Sequence, residues 1–271
     1  MENAKDDGPL SGVALRTADA ADRPTIYREV YESELQRILA NRPREPQALQ
    51  LGTNEKFARF VRTTVGHRRR VLEVGCGFGA TALRVAGDHN EVVAVDVAQV
   101  AIEVARSFAA GRPNLRFLTM SATRLEFPEA SFEAAFSSDL IEHLHADDLP
   151  THLREVHRVL GTKGIYIIKT PSELTGPHGS SDPNDQHSLH LKEYRYGTLL
   201  PLLISAGFKR LATPALSLRL ASRIPGCSCC PARLNNLAEA IACLAPPYSG
   251  LRRRLARLLG VKHVLVIATK R

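Results

Sequence analysis

Between residues 70 and 170 the chain repeats one unit, a short apolar run followed by a segment with helical spacing. The runs are RVLEVG (70–75), EVVAVD (91–96), NLRFLTM (114–120), FEAAFSS (132–138) and GIYIIKT (164–170). As a set they lack the regular apolar–polar alternation of strands with one face in water. Such strands belong to a parallel sheet covered by helices on both faces. TALRVAG (81–87), QVAIEVARSFAAG (99–111) and LPTHLREVHRVLG (149–161) supply helices between them. YGTLLPLLISAGF (196–208) predicts one more helix, ended by Gly207, and ALSLRLA (215–221) and HVLVIATK (263–270) predict two more strands.

The flanks divide the rest. Residues 1–22 show no period and are expected to be an unstructured tail. Ile26, Val30, Leu35, Ile38 and Leu39 have roughly helical spacing, two prolines break the pattern at 41–47, and a second helix is expected over 54–65. This gives a helical cap at 23–66, a core at 67–214, and the last two strands at 215–271. A helical insertion at about 222–260 interrupts those strands and holds Cys227, Cys229, Cys230 and Cys243. Their C-x-C-C spacing does not match paired zinc ligands, so they are read as unliganded. LRRRLARLLG (251–260) is expected to pack over the substrate mouth or against a second subunit.

Charge decides little here. The net charge is +8 and the pI near 9.5, but the basic residues are scattered. With no tryptophan and 6% aromatic residues, a base-stacking surface is disfavoured, so nucleic acid is not the expected partner. No run of eighteen apolar residues occurs, and MENAKDDGPL lacks a secretory pattern. Both readings point to the cytoplasm, with reduced cysteines.

VLEVGCGFGA (71–80) is a strand entering a glycine-rich turn that opens a helix. Gly75, Gly77 and Gly79 let the backbone turn tightly and approach a ligand. Asp96 ends the next strand about twenty residues on, where an acid can take both hydroxyls of a ribose. Glu73 precedes the turn; a carboxylate there disfavours a phosphate and suits an ammonium. The ligand so described has a ribose and a positive group, and lacks a phosphate at this turn.

From Arg70 to Phe208, with the last strand, the chain resembles the class I S-adenosylmethionine-dependent methyltransferases. VLEVGCGFGA, VVAVDVA, LEFPEASFEAAFSSDLIEHL and LREVHRVLGTKGIYIIKTPS match that family's ordered motifs. The resemblance implies a Rossmann-like seven-stranded α/β sheet, mostly parallel with an antiparallel last strand. It implies S-adenosylmethionine as cofactor, with Glu73 and the glycine turn on its methionine part, Asp96 on the ribose, and Val97 also among the cofactor-binding residues. Ser137 and Ser138 fall by the methionine end. Where relatives often carry Gly-Asp-Ala for the adenine, this chain has Met120-Ser121-Ala122. The Ser121 hydroxyl and the Ala122 N–H are the expected substitutes.

Within SSDLIEHLHADD (137–148), Asp139 is expected to face the acceptor. Asp139, Glu142 and His143 have the i, i+3, i+4 spacing of one helical face. They resemble the Glu-x-x-Glu-His of quinone-pathway O-methyltransferases and small-RNA 2′-O-methyltransferases, where a divalent ion meets the accepting hydroxyl. The adopted reading assigns no metal, keeps Asp139, Glu142 and His143 as the set that would hold one, and treats Glu142 and His143 as helix-start anchors. A long polar segment, 169–196, adds His187 and His190 beside the same edge as an acceptor-site lid. His143, His187 and His190 are therefore the candidate bases. The Asn/Asp-Pro-Pro-Tyr/Phe stretch of relatives that methylate amino groups is replaced by Ser137-Ser138-Asp139-Leu140. The expectation is methyl transfer to a hydroxyl of a small molecule, a specialised metabolite or sugar. The alternatives are a 2′-O-methyltransferase of RNA or nucleotides, or a non-catalytic cofactor-binding partner. A homo-oligomer is compatible with the reading.

Overall fold

The computed structural model describes residues 12–41, 55–67, 69–87, 90–175, 189–213, 232–245, 249–259, 261 and 263–271. In chain order the helices are α1 (Gly12–Thr17), α2 (Arg23–Ala40), α3 (Glu55–Val65), α4 (Ala80–Ala86), α5 (Gln99–Phe108), α6 (Leu149–Val159), α7 (Tyr196–Ser205), α8 (Ala232–Cys243) and α9 (Gly250–Leu258). The strands are β1 (Arg70–Val74), β2 (Glu91–Asp96), β3 (Leu115–Thr119), β4 (Phe132–Ser138), β5 (Leu160–Pro171), β6 (Arg210–Ala212) and β7 (His263–Thr269). They form one seven-stranded sheet in the order β3-β2-β1-β4-β5-β7-β6. β1 to β5 run parallel to one another, and β7 runs antiparallel between β5 and β6.

The unalternated strand sequences now have their reason. Successive side chains of a strand point to opposite faces. Val92 and Ala94 pack into one core with Phe57 and Val61 of α3 and Ala82 and Val85 of α4. Val93 and Val95 pack into the other with Tyr27 of α2, Leu153 of α6 and Leu199 of α7. Both faces are covered, so neither set can be polar.

The order of strands reverses between β1 and β4, and the crevice at their carboxyl ends is where open α/β sheets receive ligands. Glycine, alanine and arginine stand at the N-cap positions of α4, α5 and α7. Carboxylates from elsewhere serve the first turns instead. The Glu32 carboxylate of α2 accepts from Val100 N–H, with both oxygens at 3.2 Å. Glu239 of α8 accepts from Tyr196 N–H at 2.7 Å and Gly197 N–H at 3.2 Å. These bonds tie α2 to α5 and α8 to α7, and each suits the positive end of the helix it caps.

Two expectations change. Residues 12–22 are not part of an unstructured tail: α1 buries Leu15, and Arg16 donates to the His190 carbonyl at 2.8 Å. The sixth strand is Arg210–Ala212, directly after α7. The strand expected at 215–221 lies outside the described residues, as do Cys227, Cys229 and Cys230. Among the described residues no helix is long and apolar enough to cross a membrane.

Candidate active site

The glycine turn hooks over the end of β2. Gly75 and Cys76 N–H donate to the Val95 carbonyl at 2.8 and 3.0 Å. Asp96 then receives Gly77 N–H on one oxygen at 2.8 Å and Ala98 N–H on the other at 3.0 Å. Burial raises its pKa, and those N–H bonds work against the rise. Gly75, Gly77, Asp96, Val97, Ser121 and Ala122 all line one cavity of about 350 Å³. The far wall of the same cavity is Asp139, Leu140, His143 and Leu189, and Tyr27, Tyr31, Leu35 and Ile38 of α2 form the roof.

Other residues expected in the site do not line that cavity. Glu73 is buried in β1, beneath the turn; burial, opposed by a bond from Ala82 N–H at the start of α4, holds its carboxyl well above the usual range. Its Oε2 has no hydrogen-bond partner. Gly79 opens α4, and Ser138 bonds Asp139 at 2.8 Å. Ser137 lies behind the cavity and shares a 2.7 Å hydrogen bond with the Tyr166 hydroxyl. Tyr166 meets His152 Nε2 at 2.8 Å, and His152 Nδ1 meets the Ala122 carbonyl at 2.8 Å. Ser121 is turned to Thr123, accepting its N–H at 3.2 Å with the two hydroxyls 2.9 Å apart.

On the acceptor side the single helical face breaks up. Asp139 has φ +54°, and Ile141–His143 make only one 3₁₀ turn. Asp139 is thereby swung to Lys169, with Nζ to its two oxygens at 2.6 and 2.9 Å. Glu142 and His143 meet His190 instead. The Glu142 carbonyl accepts Leu191 N–H at 2.7 Å and Lys192 N–H at 3.1 Å, which docks that segment. One donor atom each of Glu142, His143 and His190 then lies within 4.8 Å of the others. The His143 ring sits edge-on to His190 and Tyr31, with centroids 4.7 and 5.7 Å away. Burial and the His190 charge push His143 down to about 4. Burial and the Asp139 charge push Glu142 up to about 7. Burial lowers His190, but Glu193 and the Glu142 charge outweigh it and leave it raised. His187 lies outside the described residues.

The residues at this end of the cavity have the chemistry a nucleoside-bearing cation would need. A Cβ built on Gly77 meets nothing within 4 Å, the end of β2 carries an acid, and a buried carboxylate oxygen stands unpaired beneath the turn. The seven-stranded sheet with its antiparallel β7 is Rossmann-like. A family model described as a methyltransferase domain matches residues 71–164. A probable S-adenosylmethionine-dependent methyltransferase of Mycobacterium tuberculosis is 33% identical over 144 residues, covering 53% of this chain and 50% of its own. A malonyl-[acyl-carrier protein] O-methyltransferase of Halorhodospira halophila is 30% identical over 178 residues, covering 64% and 58%. The chain thus spans about half the length of the curated relatives it matches. A Burkholderia thailandensis 1,6-didemethyltoxoflavin-N1-methyltransferase, solved with its substrate and S-adenosylhomocysteine, shares the fold. Its TM-score is 0.60 at 18% identity, over 91% of this chain and 90% of that one. Residues 71–164 match a methyltransferase domain, and the chain is similar to S-adenosylmethionine-dependent methyltransferases, which supports S-adenosylmethionine as the cofactor.

Proposed function

We propose that the protein transfers a methyl group from S-adenosylmethionine to a hydroxyl of a small molecule held beneath α2. The observation that carries this reading is the shared cavity, with the glycine turn and Asp96 at one end and His143 under the α2 roof at the other. A roofed cavity of about 350 Å³ suits a small acceptor better than a polymer.

In this reading Asp96 accepts from both ribose hydroxyls. The Gly75–Gly77 backbone and the unpaired Glu73 oxygen serve the methionine part. Val97 and the Ala122 N–H serve the nucleoside. Ser137 and Ser138, at the end of β4, are bonded to Tyr166 and Asp139 and lie toward the methionine end. When bound, the cofactor supplies a methyl carbon on a positive sulfur, whose C–S bond breaks as the acceptor oxygen bonds that carbon. The chain orients the acceptor and handles its proton. His143 Nδ1 donates to the Leu189 carbonyl at 3.0 Å, leaving Nε2 with its lone pair. His190 stands beside it. Transfer to oxygen is supported by a relative named for O-methyl transfer, and by Ser137-Ser138-Asp139-Leu140 standing in place of the proline-aromatic stretch of amino-group methylation.

The test is incubation with isotope-labelled cofactor and a panel of hydroxylated and amino-bearing small molecules, read by mass spectrometry. Label on oxygen, lost in Asp96→Ala, supports the proposal. Label on nitrogen, or none with any acceptor, overturns it.

A further inference from the structure

We propose that Glu142, His143 and His190 bind one divalent transition-metal cation. Their donor atoms are within 4.8 Å of one another. Donors about 2.1 Å from a common ion lie roughly 3–4 Å apart, so small ring rotations close the set.

Three independent features point to a cation. Glu142 is wholly buried; its Oε2 accepts from Thr170 Oγ1 at 2.8 Å, and Oε1 has no hydrogen-bond partner. A buried polar atom left without a partner in a native fold calls for an explanation, and an ion supplies one. The second is His143, whose Nδ1–H is held by a backbone carbonyl at 3.0 Å, as in ligating histidines that turn the other nitrogen to a metal. The third is the Glu193 carboxylate 3.5 Å from His190 Nδ1, an ion-pair contact that sets an acid beside that nitrogen.

Two imidazoles and a carboxylate suit Mn²⁺, Fe²⁺, Co²⁺ or Zn²⁺ rather than the all-oxygen sites of Ca²⁺. Three protein ligands leave coordination positions open, and one of the three, His143, lines the cavity in which the acceptor is proposed to sit. Asp139 is not needed, because Lys169 and Ser138 hold its carboxylate. The consequence for catalysis rests on the proposed hydroxyl acceptor. A hydroxyl on the ion is more acidic. Its proton leaves to water, its oxygen bonds the methyl carbon, and the C–S electron pair stays on sulfur. His143 and His190 then act as ligands rather than bases.

Metal uptake is read on the chelator-stripped protein alone, without cofactor or acceptor, so it stands or falls separately from methyl transfer. Co²⁺ is titrated by calorimetry and visible absorption. The expected result is one ion per chain, no thiolate-to-metal band, and binding unchanged when Cys227, Cys229, Cys230 and Cys243 are replaced by serine. Glu142→Gln and His190→Ala, checked for folding by circular dichroism, should each weaken binding on the order of 100-fold. Anomalous scattering from Co²⁺-loaded wild-type crystals places the ion whether or not a variant folds. No binding, binding that survives both folded variants, or an ion elsewhere overturns the proposal. Methyl transfer that persists without metal uptake returns His143 to the role of base.

Discussion

His152 Nε2 lies 2.8 Å from the Tyr166 hydroxyl, and both side chains are wholly buried. A carbonyl only accepts, so the Ala122 contact puts the imidazole proton on Nδ1, and Tyr166 donates to Nε2. Burial holds this histidine down to about 4, against the carbonyl bond that favours its charged form. The unfolded chain, with an ordinary value near 6.5, therefore takes the proton first as pH falls. The stabilisation is whole above about pH 6.5 and is lost progressively toward pH 4. The interval corresponds to about 3 kcal/mol. Denaturant unfolding should find wild type more stable than His152→Gln at pH 7.5, with the gap about 2–3 kcal/mol smaller at pH 4.5. A gap constant with pH would contradict the assignment.

Asp96 holds the glycine turn and faces the cavity at once, through Gly77 N–H at 2.8 Å. Asp96→Ala should weaken S-adenosylhomocysteine binding on the order of 100-fold, since hydrogen bonds to a charged group contribute about 1.5–3 kcal/mol. Asp96→Asn, which keeps one acceptor, should fall between. Calorimetry measures both, and equal affinity in Asp96→Ala would remove Asp96 from the site.

The roof of the cavity is clamped by a bidentate ion pair. Arg23 Nε and Nη2 each lie 2.8 Å from an Asp148 oxygen, and Tyr27, whose hydroxyl is 3.1 Å from Asp148, also takes His145 N–H at 2.6 Å. The Arg23 side chain is only 7% exposed, so Asp148→Ala leaves a nearly buried charge unpaired. The expected loss is about 2–3 kcal/mol, concentrated in α2. Hydrogen exchange of α2 amides should rise well before that of β1 and β2. Acceptor KM should rise roughly tenfold, as a roof open most of the time lowers apparent affinity.

The sheet was legible because each apolar run is long enough to be a strand and is punctuated by a helix pattern; β2 matches its expected range of 91–96. Asp96 and the glycine turn were legible because their spacing is local to one strand–helix–strand unit. His190 joining Glu142 and His143 was not, because it depends on backbone bonds from Leu191 and Lys192 across the sheet edge. Asp139 misled for the opposite reason: helical spacing described a segment that one left-handed residue takes out of the helix. The roles of Tyr166 and His152 left no trace, since a tyrosine in a strand and a histidine in an amphipathic helix read as ordinary core.

Gly77 and Gly79 separate what the turn does for the fold from what it does for the ligand. At Gly79 φ is +78°, and an added Cβ would fall 2.5 Å from Phe117 and 3.0 Å from the Ala105 Cβ, both in a packed core. Gly79→Ala therefore combines left-handed strain with overpacking, about 3 kcal/mol together. At Gly77 φ is +49° and an added Cβ meets nothing within 4 Å, so Gly77→Ala should lose only about 1 kcal/mol of stability. That open space belongs to the cavity, where the new methyl group stands in the way of the cofactor. Unfolding midpoints and calorimetric affinity should thus move in opposite patterns. Gly79→Ala lowers stability most; Gly77→Ala stays folded and loses at least roughly tenfold in affinity, the equivalent of 1.4 kcal/mol. If Gly77→Ala binds as wild type does, the cofactor does not pass over this turn.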